Sequence, residues 1–116
     1  MKTRSFDYAV RIVKLYKHLI ATFNEYELSK QILRSGTAIG SMVREPQNAE
    51  GPKDFIHKLG IAQKECDETA YWLELLHATD FLNEKEFESM HDEANQILRM
   101  LKSAIITSKD KLNRKL

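Results

Sequence analysis

Apolar residues recur at alternating steps of four and three through Phe55, Leu59, Ala62, Cys66, Thr69, Leu73 and Leu76. That spacing is an a/d seam and predicts a helix packed nearly parallel to other helices. Lys58, Lys64, Glu65, Asp67, Glu68 and Glu74 fall between the seam positions, so the opposite face is wet. A helix with so narrow an apolar stripe is unstable alone and needs partners. The seam repeats downstream at Phe87, Met90, Ala94, Ile97, Leu101, Ala104 and Ser108, with Leu98, Ile105 and Leu112 beside it. Upstream, Phe6, Val10, Val13, Tyr16 or Lys17, Ile20 and Phe23 trace one face, widened by Ala9, Ile12 and Leu19. A shorter pattern uses Ile32, Ser35 or Gly36, Ile39 and Val43.

Local signals place the boundaries. Ser5 is the expected N-cap of the first helix, and FNEYE after it reads as a loop. Ser29 is the expected cap of the second. In its middle, Gly36 and Gly40 each cost about 1 kcal/mol against alanine, so a close backbone contact is expected to compensate. Pro46 ends or kinks this helix, because it lacks the N–H that would bond back to Met42. Gly51-Pro52 marks a turn with proline at the first helical position. Asp80-Phe81-Leu82 makes the last corner, and Asn83 with Glu86 has the spacing of a capping box. The predicted helices span about 5–22, 29–45, 52–79 and 83–110, with a basic, fraying tail at 111–116. Four helices with short corners read as one all-α domain over 1–116, an up-down-up-down antiparallel four-helix bundle.

Composition narrows the class. The chain is 42% hydrophobic and 30% charged, with only four glycines and two prolines, which favours a few long helices. No apolar run approaches a membrane span, so no membrane partner is expected. The basic N-terminal stretch is interrupted by Asp7, Arg11 and Lys14 and does not read as a secretory signal. A single cysteine, Cys66, excludes an internal disulfide and a cysteine-based zinc site, which suits a reducing cytoplasm. The net charge of +1 conceals segregation. Glu65, Asp67, Glu68, Glu74, Asp80, Glu84, Glu86, Glu88, Asp92 and Glu93 fall in 65–93 against Lys85 alone. Arg99, Lys102, Lys109, Lys111, Arg114 and Lys115 fall in 94–116 against Asp110 alone. In an up-down bundle, Glu25, Glu27, Asp80, Glu84 and Glu86 share one end, and Lys2, Arg4, Arg44, Lys53, Lys109, Lys111, Arg114 and Lys115 share the other.

The candidate chemistry is sparse. Two Glu-x-x-His pairs, Glu74 with His77 and Glu88 with His91, have the spacing used by di-iron carboxylate bundles. Register argues against that use, since both pairs fall at b and e positions, off the seam. No metal site, catalytic residue or cofactor is expected. His18 and His57 lack an acid or nucleophile at a useful spacing and read as surface residues. There is no nucleophile elbow, phosphate-cradling glycine loop or H-E-x-x-H. Tyr71 and Trp72 fall at f and g, outside the seam, and suggest an oligomer interface; the plainer alternative is that Trp72 wraps its own bundle. The basic end suits nucleic acid, because phosphate binding needs several neighbouring bases, although such residues also merely solubilise. Tyr8 and Tyr16, interleaved with Arg11 and Lys17, are candidates for base stacking, Tyr16 fitting the core better.

ELSKQILRSGTAIGSMVRE, KDFIHKLGIAQKECDETAYWLELL and FLNEKEF together make the chain resemble the four helix bundle proteins related to the 23S rRNA-intervening sequence protein. The similarity covers nearly the whole chain. Two positions depart from the family pattern: Met42, where asparagine is usual, and Pro46, where a helix-compatible residue is usual. The resemblance implies an up-down bundle assembling into a ring, commonly a homopentamer. The family name records a location in ribosomal RNA genes and no activity. A related branch resembles the accessory proteins of diversity-generating retroelements, basic pentamers that bind nucleic acid and a reverse transcriptase; this chain is less basic. The resulting expectation is a non-enzymatic, cytoplasmic, ring-forming protein that binds RNA or DNA through its basic end. The alternative is a protein–protein interaction scaffold without nucleic-acid binding.

Overall fold

The computed structural model describes residues 1–44 and 50–115, the side chain of Lys115 excepted. Four helices follow one another: α1 (Lys2–Phe23), α2 (Glu27–Arg44), α3 (Pro52–Ala78) and α4 (Glu84–Lys115). No strand occurs among the described residues. Consecutive helices pack side by side, giving an all-α, antiparallel four-helix bundle. Pro46, where a stop or kink is predicted, lies outside the described residues.

Several helix ends differ from the sequence reading, each for a visible reason. Helix α1 starts at Lys2 rather than at Ser5. Ser5 is buried inside the helix, and its hydroxyl donates to the Lys2 carbonyl at 3.0 Å. Asn24 closes α1 in the left-handed conformation, φ 53°, its N–H bonding back to Ile20. Asparagine tolerates this region better than most residues. Ser29 does not cap α2. The Glu25 carboxylate does, accepting from the N–H groups of Glu27 at 3.0 Å, Leu28 at 2.8 Å and Ser29 at 2.7 Å. One carboxylate thereby satisfies three orphan donors, with a favourable charge at the helix N-terminus. Ser29 is instead buried and donates to the Glu25 carbonyl at 2.7 Å. Gly51, φ 155°, precedes α3, whose first residue is Pro52. Asn83 caps α4, its Oδ1 accepting the Glu86 N–H at 2.8 Å. Residues 111–115, predicted to fray, continue α4. Leu112 and Pro52 line one open pocket there, which places the end of α4 beside the start of α3.

The seams of α3 and α4 are buried as their spacing dictates, at Leu59, Ala62, Cys66, Thr69, Leu73 and Leu76, and at Met90, Ala94, Ile97 and Leu101. Helix α1 is turned from the predicted face. Its core residues are Tyr8, Ile12, Leu15 and Leu19, while Phe6, Val10 and Phe23 are exposed. This second stripe also steps by four, three and four, and it fits better against its neighbours. Ile12 fills the space left by Gly36, and the Tyr8 hydroxyl donates to the Met90 carbonyl at 3.0 Å. Gly40 brings the α2 backbone against Ser5 in the same seam, the close approach that the small residues of α2 imply.

Unequal helix lengths shape the molecule, 54 Å long and 22 by 20 Å across. Arg4 reaches Gln96 and Met100, so α1 begins level with about residue 100 of α4. The rest of α4 extends about 20 Å further at 1.5 Å per residue. The first turns of α3 accompany it, as the proximity of Pro52 to Leu112 shows. Helices α1 and α4 meet far less extensively than the other neighbours. Long side chains span that seam, with Arg11 paired to Glu93 and donating to Ser89 at 2.8 Å.

Candidate nucleic-acid interface

The helix offsets sort the basic residues into two groups along the long axis. Lys2, Arg4 and Arg44 sit where α1 starts and α2 stops. Lys53, Lys109, Lys111 and Arg114 belong to the extension formed by the ends of α3 and α4. From the helical rise, the groups stand about 15–20 Å apart along the axis. The two-group arrangement replaces the single cluster expected from topology, because α4 outlasts α1 by roughly four turns. Lys53, Lys109, Lys111 and Arg114 are exposed. Arg4 is half-buried, donating to Gln96 at 2.5 Å and lying 3.9 Å from the Met100 sulfur, so it serves the α1–α4 seam first. The Lys115 side chain lies outside the described residues.

Between the shoulder ends of α1 and α2 runs an open groove of about 480 Å³. Lys2, Phe6, Ala9, Gly40, Ser41 and Arg44 line it. The Phe6 ring is 54% exposed, and the Arg44 guanidinium carbon lies 6.0 Å from its centroid. The Phe6–Val10 stripe predicts a core position for this ring, and the structure corrects that to a surface one. The Tyr8–Ile12–Leu15–Leu19 seam, of comparable spacing, is the one that the neighbouring helices bury, and it leaves Phe6 facing outward.

The opposite end is acidic but heavily engaged. Burial opposes ionisation of Glu25, yet hydrogen bonds from Leu28, Ser29 and Glu27 outweigh it and hold the carboxyl below its ordinary value. The Glu-x-x-His residues lie off the core seam, and both histidines pair with a glutamate across α3 and α4. His77 pairs with Glu84 at 2.8 Å and His91 with Glu74 at 2.9 Å. The Phe87 ring stacks on both imidazoles, with centroids 4.3 and 4.8 Å away. A hydrogen bond shared with Glu84, together with its charge, raises the Glu88 carboxyl above its ordinary value. Among the described residues no group of three or more His, Cys, Asp or Glu side chains is placed to hold a metal ion. His18 and His57 are exposed. Burial pushes the Cys66 thiol up to about 12, and its Sγ donates to the Ala94 carbonyl at 3.2 Å. An unreactive core thiol is the consequence. Burial likewise raises Tyr8 above its ordinary value, so its ring is a core element and no stacking platform.

Tyr71 and Trp72 differ from one another. Tyr71 is 56% exposed on the outer side of α3. Trp72 is half-buried against the core, edge-on to Tyr71 at 5.1 Å, with its Nε1 enclosed and without a hydrogen-bond partner among the described residues. Among the described residues no helix is long and apolar enough to cross a membrane.

Comparison with known proteins adds to this geometry. No curated protein matches the chain. A crystal structure of a protein of unknown function from the S23 ribosomal protein family of Bacteroides thetaiotaomicron superposes with a TM-score of 0.89. The two are 48% identical, over 90% of this chain and 96% of that one. Residues 1–103 match the family described as 23S rRNA-intervening sequence protein. With the helix order, the α3 and α4 seams and that match together, the chain belongs to the 23S rRNA-intervening sequence protein family.

Proposed function

We propose that this protein is a non-enzymatic, ring-forming four-helix bundle that binds RNA or DNA through its basic end. One observation carries the nucleic-acid reading: bases stand where helix electrostatics disfavour them. Lys2 and Arg4 occupy the first turn of α1, which has no acid, and Lys53 follows Pro52 at the start of α3. A cation at a helix N-terminus opposes the macrodipole and forfeits a few tenths to about 1 kcal/mol. Arg4 is engaged with Gln96, so the exposed Lys53, beside Asp54 at the start of α3, is the residue there that best supports contact with an external anion. The bases near the end of α4 are less informative, because a helix C-terminus favours them anyway. Two basic groups separated along the axis suit a phosphate backbone better than a small anion. Ring assembly rests on the family resemblance and on the exposed Tyr71; a ring multiplies a weak patch by presenting identical ends together.

Binding of a structured RNA and a matched DNA, at low and near-physiological salt, tests the reading. Affinity should persist at physiological salt with a steep log–log slope. Changing Lys53, Lys109, Lys111 and Arg114 to glutamate should abolish it while leaving the solution mass unchanged. Unaltered affinity in that variant refutes the assignment. Light scattering tests the ring, with a pentamer at five times the 13.5 kDa of the chain. Tyr71→Ser should lower that mass if α3 lies in the interface. The scaffold alternative draws on the same exposed Tyr71, together with Ile106, 62% exposed on α4. It is favoured if a partner protein co-purifies after nuclease treatment and neither nucleic acid binds.

A further inference from the structure

We infer that the groove between the start of α1 and the end of α2 receives an unpaired nucleobase and its flanking phosphates, with Phe6 as the stacking platform. The inference rests on the nucleic-acid reading above and names the form of nucleic acid that this end takes: single-stranded.

Phe6 is a large apolar ring left 54% exposed on the face of α1 away from its buried seam. The bundle gains little from it there. Its charged companion is Arg44, 6.0 Å from the centroid, and no ion pair holds that guanidinium among the described residues. An arginine beside an aromatic face can contact a phosphate while the ring takes a base, and base–aromatic stacking is tolerant of sequence. Lys2 adds a second cation at the rim, and Ser41 adds an exposed hydroxyl. Among the described residues no acid lines the groove.

The shape of the groove follows from the α1–α2 packing. At Gly40 a Cβ would stand 3.3 Å from the Ser5 carbonyl oxygen, so the missing side chain lets the two backbones close up and keeps the floor shallow. The opening, about 480 Å³, is within the range that accommodates small planar ligands. A base inside a duplex presents only its edge and cannot lie on the ring, whereas an unpaired base offers its face. That contrast restricts the groove to single strands.

The test is fluorescence anisotropy with three labelled probes of equal length: an oligouridylate, an oligothymidylate and a duplex. Wild type is compared with Phe6→Ala, Phe6→Trp and Arg44→Ala, and each protein is weighed by light scattering. Phe6→Ala should weaken both single strands about tenfold, within the range of losing one stacked base, and leave the duplex and the salt slope unchanged. Phe6→Trp should restore binding. Arg44→Ala should weaken binding and reduce the salt slope by about one, the signature of one lost phosphate contact. Equal binding by wild type and Phe6→Ala overturns the groove assignment while leaving nucleic-acid binding intact. Equal losses on duplex and single strand also overturn it, as does a changed mass, which would make Phe6 an assembly contact. If wild type binds none of the probes, both readings fall together.

Discussion

Gly36 faces Ile12 across the α1–α2 seam, where an added Cβ would stand 2.7, 2.8 and 2.9 Å from three of its side-chain atoms. Ile12 is fully buried and β-branched, so it has little room to yield. Gly36→Ala should therefore destabilise by about 1–2 kcal/mol, overpacking outweighing the roughly 1 kcal/mol gained in helix propensity. Gly60 lies on the exposed side of α3, where an added Cβ would meet nothing within 4 Å, and Gly60→Ala should stabilise by about 0.5–1 kcal/mol. Urea unfolding of the pair checks both signs; a stabilised Gly36→Ala would mean that the seam is loose. The buried acids of the core set an alkaline limit. Cys66 and Tyr8 are held neutral, the thiol moving from 9.0 to about 12. A raised folded value leaves stability intact below the unfolded value and removes it as pH climbs toward the folded one. Stability should thus be flat to about pH 9 and decline through about pH 12, with Cys66→Ala flattening part of the decline. Thiol labelling at about pH 8 should proceed no faster than global unfolding. Rapid labelling of the native protein would contradict the buried position.

At the scale of the element, α2 depends on a residue outside it. Glu25 gathers the N–H groups of Glu27, Leu28 and Ser29. Glu25→Ala should lose about 1–2 kcal/mol, as removal of a good cap does. Because the folded carboxyl sits below its ordinary value, its contribution is present above about pH 4.5 and disappears as pH falls through that lower value. Denaturation curves of wild type and Glu25→Gln should be well separated at neutral pH and converge in acid. Parallel behaviour at all pH values would show that charge at this cap is immaterial. The role is not legible in the sequence because a serine at position 29 satisfies the usual capping preference, while a glutamate two residues ahead of the helix does not announce itself. Asn83 is the contrasting case, where a short side chain and local spacing are enough to identify the cap.

Across the whole molecule, α3 is held on two sides, by α2 and α4, whereas α1 is closely packed on α2 alone. Its link to α4 runs through Arg4, Tyr8 and Arg11, and two of these three are long flexible side chains. Local opening follows the density of such contacts. Amides of α1 should exchange several-fold faster than those of α3 over Leu59–Leu76, measured by hydrogen–deuterium exchange. Equal protection would mean that an assembly contact clamps α1 from outside. The same openness matters for the proposed function, because the groove around Phe6 belongs to this less restrained helix.

The spacing of Leu59, Ala62, Cys66, Thr69, Leu73 and Leu76 by itself determined a long helix with one buried stripe, because no other register buries as many apolar side chains. The α4 seam and the proline and asparagine signals at Pro52 and Asn83 were equally local, and with them the sequence determined the helical class and the antiparallel order. Helix α1 carries two stripes of comparable spacing, and nothing along the chain chooses between Phe6–Val10 and Tyr8–Ile12. Only the hole above Gly36 and the Met90 carbonyl, both supplied by other helices, decided it. The basic end shows the same division. Its residues could be named from topology, but their separation into a shoulder and an extension depends on how far α4 runs past α1. That offset is set by side-chain packing between helices, a non-local quantity that periodicity within one helix does not contain.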